Sequence, residues 1–348
     1  MKKRSLLAVA QLLVGMALVT GLAYGVLVWM ARDRASHMPV GYSILRPPND
    51  VYCLAQVNGT VWAGGTEGLF VFARDGSALV VPEPLQKLQF VSALLAQADG
   101  SVWLAHEDGM THWSSTATKH YSTLAGDFSG RGLAVLRDRD GVLWAGSDRH
   151  LLRLQEGAFR PVPVPEAFGL TEVAVLYQDR DGILWIGDSS PRSPGLISYG
   201  PQGFRLYTQK DGLPHHSINA IMQTRGGAGL WIGTGFAGAG RALHIEQGVW
   251  RSVGRQQGLA GDKVRTIFED SSERLWFGSE YEGLAVFGST RLALIGVAGG
   301  LAGPEVKAIL EYPNNTFWLG SNGGLTRIEY LATLEGDPRF PGFGGSRP

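Results

Sequence analysis

Seven tryptophans recur at a near-constant interval, and that recurrence constrains the fold more than any other feature of the chain. Trp62, Trp103, Trp144, Trp185, Trp231, Trp276 and Trp318 are separated by 41, 41, 41, 46, 45 and 42 residues. Each lies in a short apolar string: VWAGG, VWLAH, LWAGS, LWIGD, LWIGT, LWFGS and FWLGS. A period of about 40 to 50 residues means stacked units, none of which can bury its own apolar face alone. A Trp placed once per unit reads as packing between neighbours rather than as ligand stacking, and its loss is expected to cost about 3 to 5 kcal/mol.

The rest of each unit separates strand from helix. Upstream of each Trp lies a β-branched, apolar run such as 90–97 (FVSALLAQ), 171–178 (TEVAVLYQ) or 263–269 (KVRTIFE), of strand length and too short for a capped helix. Asn58-Gly59, Asp99-Gly100, Asp140-Gly141 and Asp181-Gly182 sit between run and Trp and suit tight hairpins. A third strand follows (GLFVF, GMTHW, HLLRL, GLISY, RALHI, GLAVF, GLTRI), and in most units a short fourth, as at 204–207 and 292–295. Four antiparallel strands per unit predict an all-β, seven-bladed β-propeller over residues 41–330. The last unit lacks a convincing fourth strand, whereas GYSIL at 41–45 looks like one and precedes the first Trp. Residues 41–46 are therefore expected to supply the outer strand of blade seven, sewing both ends into one blade and removing an open edge.

The N-terminus differs in character. Met1-Lys2-Lys3-Arg4 is followed by residues 5–31, which contain no charged side chain, and then by Arg32-Asp33-Arg34. As a helix this segment reaches about 40 Å, enough to cross a hydrocarbon core of about 30 Å. No strong cleavage site follows it, so an uncleaved signal anchor is preferred over a signal peptide. The positive flank places the stub 1–4 in the cytoplasm and, beyond a linker at 32–40, the propeller outside. Ala17, Gly21 and Gly25 share one face of the span and could pair two copies. The Gly- and Pro-rich tail 331–348 is expected to be loosely structured.

Composition narrows the partners. Thirty-one basic and 31 acidic residues balance without a long run of either sign, so there is no electrostatic footprint for nucleic acid. Cys53 is the sole cysteine, which excludes an internal disulfide and a cysteine-rich metal site; in its apolar string it reads as an inert core thiol. No metal or prosthetic group is expected.

The DGLP corner, apolar strand, turn and LWIGT string of 210–234 (KDGLPHHSINAIMQTRGGAGLWIGT) resemble the two-component regulator propeller repeats, with looser copies at 257–279 and 299–321. The resemblance extends over about 41–330 and implies an extracytoplasmic sensor propeller at a bacterial inner membrane. In that family an immunoglobulin-like domain, a membrane span and an output domain normally follow. This sequence stops about 20 residues after the last blade. The expectation is a single-pass, ligand-sensing protein without kinase activity that signals through a separate membrane partner.

A ligand is expected where the loops between second and third strands meet the blade-to-blade connections, around the mouth of the central channel. From the Trp to the first apolar residue of strand three those loops run 7 residues in four blades, 8 in blade six, 11 in blade four and 12 in blade five. Departures from a regular repeat are where binding surfaces are grafted. Candidate rim residues are Glu67, His106, Glu107, Asp108, Arg149, His150, Arg192, Phe236, Glu280, Tyr281, Glu282 and Asn322, with His215 and His216 in the corner before blade five. Rings, carboxylates and guanidinium groups suit an oligosaccharide or a peptide; the competing reading is that most are solvated loop residues. No zinc-protease spacing, nucleophile elbow or phosphate loop is present, so no catalytic residue is assigned. A propeller lyase or hydrolase, with acid and base drawn from different blades as the similarity to streptogramin lyases allows, and an assembly scaffold docking through a blade face remain as alternatives.

Overall fold

The computed structural model describes residues 38–329, apart from 228 and 289–291. Seven four-stranded antiparallel sheets form the propeller. Their innermost strands are Cys53–Val57, Ala93–Ala96, Gly132–Arg137, Val175–Gln178, Ile218–Gln223, Val264–Glu269 and Val306–Glu311. Each contacts its counterpart in the next blade, and the last contacts the first, so the ring is closed around an axis. The Trp-bearing strands come second in every blade. The closure inferred from the sequence holds: Tyr42–Leu45 pairs antiparallel with Gly324–Ile328, from Tyr42 opposite Ile328 to Leu45 opposite Leu325, as the outermost strand of blade seven.

The indoles define the layers between blades, as expected: Trp276 and Trp318 are fully buried, and Trp62, Trp103, Trp144 and Trp231 nearly so. Their polar edge also needs a partner. An Asp six residues upstream supplies it in three blades: Trp144, Trp185 and Trp276 donate from Nε1 to Asp138, Asp179 and Asp270 at 2.8, 2.7 and 2.8 Å. The other oxygen of each carboxylate accepts backbone amides of the hairpin, such as Val142 N, Ile183 N and Arg274 N. One carboxylate thus ties turn geometry to core packing. In blades three and four the pattern reads Asp-x-Asp-Gly-x-Leu-Trp, whereas blade six keeps only the first Asp and the Leu-Trp pair, as Asp-Ser-Ser-Glu-Arg-Leu-Trp.

The glycine two residues after the Trp has its own cause. A Cβ on Gly64 would lie 2.6 Å from Val91 Cγ1, and one on Gly278 would lie 2.5 Å from Val306 O. These valines open the following blade, so the missing side chain is what lets successive inner strands approach. Blade two carries Ala105 instead, and there the residue opening the next blade is the small Gly132.

The helices among the described residues are 3-10 turns of three residues in blade connections, and none is long or apolar enough to cross a membrane. The DGL corner is one of them: Gln209–Asp211 ends in Gly212 at φ 107°, and Leu213 is then buried. Arg255–Gln257 with Gly258 and Leu259 repeats the device. The stub 1–4, the span 5–31 with Ala17, Gly21 and Gly25, most of the linker 32–40, and the tail 331–348 lie outside the described residues.

Candidate functional site at the axial mouth

Four inner strands carry a register shift at their second residue, and that residue is Leu133, Asn219, Arg265 or Lys307. Tyr52, Ser92 and Ala174 occupy the same phase in the other blades, donating their amides to Gly64 O, Ala105 O and Gly187 O. A bulge leaves one residue out of the ladder and re-aims its side chain. Here the seven converge on a cavity of about 340 Å³, joined by Phe90, Arg131, Gly132, Val175 and Ser189. Because the inner strands start on the face that bears the second-to-third-strand loops, the cavity opens on the expected face. It is nevertheless built from strand starts more than from loops.

The cavity has a cationic side and an apolar side. Lys307 Nζ lies 2.6 Å from Asp50 Oδ1, 3.4 Å from Glu305 Oε2 and 4.5 Å from the Tyr52 ring centroid. Thr66 Oγ1 lies 3.0 Å from both Asp50 Oδ2 and the Tyr52 hydroxyl, which steadies that pair. Arg265 Nε is 2.9 Å from Glu305 Oε1, an ion pair whose N–H is not aligned for a hydrogen bond. Asn219 Nδ2 donates to Gly235 O at 2.9 Å, while its buried Oδ1 has no partner. Leu133, Ala174 and Val175 form the apolar wall. Phe90 is held at φ 48°, a strained conformation for a bulky residue.

None of the predicted rim residues lines this cavity. Several do meet in blades five and six around Lys263, which sequence analysis had not singled out. Its buried ammonium lies 2.6 Å from Glu280 Oε1 and 5.5 Å from the centroid of Phe236. The rings of His215 and His216 stack at 4.3 Å, and Ser217 N donates to His215 Nδ1 at 3.0 Å. Burial, then the charges of His216 and Lys263, hold His215 below the usual imidazole range. Tyr281 stands exposed beside them, its phenol pushed up chiefly by the neighbouring Glu280 charge. Glu282 pairs with Arg255.

The remaining predicted residues are dispersed. Glu67 accepts from Asn49 N at 2.7 Å and Asn49 Nδ2 at 2.8 Å. Asn322 Oδ1 accepts from Glu305 N at 2.9 Å. Asp108, Arg149 and Arg192 are exposed in separate loops. His106 is buried, with Nδ1 accepting from Asp108 N and Nε2 2.8 Å from Thr111 Oγ1. Burial lowers its pKa to about 4, against the opposing Asp108 charge. It is an internal strut rather than a rim group. Cys53 is half-buried and desolvation pushes its thiol up to about 12, so it stays protonated and unreactive. Among the described residues no three His, Cys, Asp or Glu side chains are grouped so as to hold a metal ion.

A signal for the axial residues did exist: each stands 10 to 12 positions before the Trp of its blade. Only that phase is shared, since the residue type changes from blade to blade.

Residues 258–281 match the family described as two component regulator propeller, overlapping the looser copy at 257–279. No curated protein sequence matches the chain. Among solved structures it is similar to the extracellular domain described as that of the hybrid two component system BT3049 of B. thetaiotaomicron, at 17% identity and a TM-score of 0.72, over 85% of this chain and 42% of that one. The extracellular domain described for the one component system BT4673 of the same organism gives 19% identity and a TM-score of 0.66, over 84% and 40% of the two chains. This chain therefore spans about two fifths of those structures. A streptogramin B lyase structure gives 14% identity and a TM-score of 0.58, over 82% and 97%. At such identities the likeness is one of fold. In its matched repeat and its seven-bladed architecture, the chain resembles the two-component regulator propellers.

Proposed function

We propose that this chain is an extracytoplasmic sensor propeller, tethered to the membrane by residues 5–31, that binds a small ligand at the axial mouth and reports its occupancy to a separate membrane protein. The observation that carries this reading is the convergence of one side chain from every blade on a single cavity. A ligand seated there touches many blades at once and stiffens the ring, whereas a ligand on one rim loop touches one or two. Ligands concentrate in cavities of about this size, with an apolar wall and a few convergent polar groups. The names of the neighbouring extracellular domains agree with a sensory role.

The test uses the full chain in detergent and a thermal-shift screen of oligosaccharides and peptides. At a ligand concentration about 100 times Kd, binding stabilises by about 2.7 kcal/mol. Ala174→Trp fills the cavity and is expected to abolish the shift of any hit. A hit whose shift survives that substitution binds elsewhere and overturns the axial assignment. For the tether, an alkaline phosphatase fused after Val40 is expected to be active in a bacterial host; an inactive fusion overturns the proposed topology.

A further inference from the structure

We infer that the axial mouth takes a small organic monocarboxylate with an apolar body; this rests on the axial binding reading proposed above. The first support is the charge of the lining. Arg131, Arg265 and Lys307 face the cavity, and no carboxylate does. Asp50 and Glu305 stand behind Arg265 and Lys307 as counter-ions. The lining itself thus offers three cationic side chains and no anionic one, which suits an anionic group.

The second support is the state of the donors. Several cations are spent locally: Lys263 on Glu280, Arg274 on Asp270 and Arg255 on Glu282 and Asp262. At the mouth Lys307 is likewise held, by Asp50 and Glu305, but Arg131 is not and Arg265 is held only through one nitrogen. The Arg131 guanidinium is exposed, and the residue's bonds to Asp148 are made by its backbone N–H and C=O alone. Arg265 turns Nε toward Glu305 and leaves both terminal nitrogens without a partner among the described residues. Glu305 lies close to both Arg265 and Lys307, so it holds the two cations in place before any ligand arrives. Preorganised, charge-assisted donors recognise a carboxylate far better than its neutral amide.

The third support is geometric. Arg131 enters from blade three and the other two cations from blades six and seven, on the far side of a seven-membered ring. Leu133, Ala174 and Val175 face the cavity from blades three and four. A carboxylate on Arg265 and Lys307 therefore points its body toward an apolar wall, with Arg131 as a further cation at the rim.

The experiment is calorimetry of the full chain with benzoate, hexanoate, benzamide and hexanamide, on the wild type and on Arg265→Gln, Arg131→Gln and Ala174→Trp. Both acids are expected to bind at least about tenfold tighter than their amides. Arg265→Gln and Arg131→Gln should each weaken the acids several-fold and leave the amides unchanged, and Ala174→Trp should abolish binding. If acids and amides bind alike and both are lost in Ala174→Trp, the axial site stands and the carboxylate inference falls. Acid binding that survives Ala174→Trp overturns the axial site itself. Absence of acid binding up to about 10 mM, a level at which even weak sites fill, overturns the carboxylate inference alone.

Discussion

Asp270→Ala probes the coupling of hairpin and core most directly. The Asp270 carboxylate is fully buried and accepts four N–H groups: Ser272 N and Arg274 N at 2.9 Å, Arg274 Nε at 2.6 Å and Trp276 Nε1 at 2.8 Å. Its removal strands the indole N–H of Trp276, which is 0% exposed, at a cost of about 1 to 3 kcal/mol. The turn amides and the Arg274 guanidinium reach water more easily and lose roughly 1 kcal/mol each. The sum is about 4 to 6 kcal/mol. At about 2 °C per kcal/mol for a domain of this size, the expected fall in Tm is about 8 to 12 °C. Asp138→Ala is the graded control, because that carboxylate accepts only Val142 N and Trp144 Nε1, both at 2.8 Å, and should cost about half as much. Scanning calorimetry of both variants decides. A loss below about 1 kcal/mol for Asp270→Ala, or one no larger than for Asp138→Ala, refutes the account of the repeated Asp as a joint between turn and core.

Three further outcomes are expected. Gly278→Ala forces a methyl to 2.5 Å from Val306 O and should cost about 2 kcal/mol by urea midpoint, with an unchanged midpoint counting against blade docking through that glycine. His106 titrates near 4 when folded and near 6.5 when unfolded, so the unfolded chain binds more protons between those values and stability falls as pH drops through that window. The contribution is about 3 kcal/mol between pH 7 and pH 4, and it should vanish in His106→Gln; parallel pH profiles for the two proteins would exclude it. Deleting residues 41–46 bares the Gly324–Ile328 edge and should produce dimers or aggregates in light scattering, whereas a monomer of unchanged stability would show that the outer strand is dispensable.

Much of the architecture was legible because indole spacing is a one-dimensional signal of a one-dimensional repeat. The cadence from Trp62 to Trp318 counts the blades, and the GYSIL string reveals how the ring closes. The site was less legible. Loop lengths pointed to blades four and five, whereas the structure gathers His215, Phe236, Glu280 and Tyr281 around Lys263 where blades five and six meet. His106 looked like a loop residue and is a buried strut, because the strand Val102–His106 extends one residue further than the apolar pattern suggests. The axial residues gave no pattern of residue type, since each is selected by its place on the axis and not by its blade.

Residue order alone determined that seven similar sheets must form, because each is apolar on both faces and can be covered only by its neighbours. Tertiary structure decided which side chains meet. Tyr52, Arg131, Asn219, Arg265 and Lys307 are far apart in the chain and come within one cavity only when the ring closes. Three of the bulges that turn them inward lie one residue beyond the side chain that packs over the glycine of the blade before: Ile218 over Gly187, Val264 over Gly233 and Val306 over Gly278. Local pattern encodes how a blade folds, whereas the chemistry of the mouth depends on a circumference that no single blade contains.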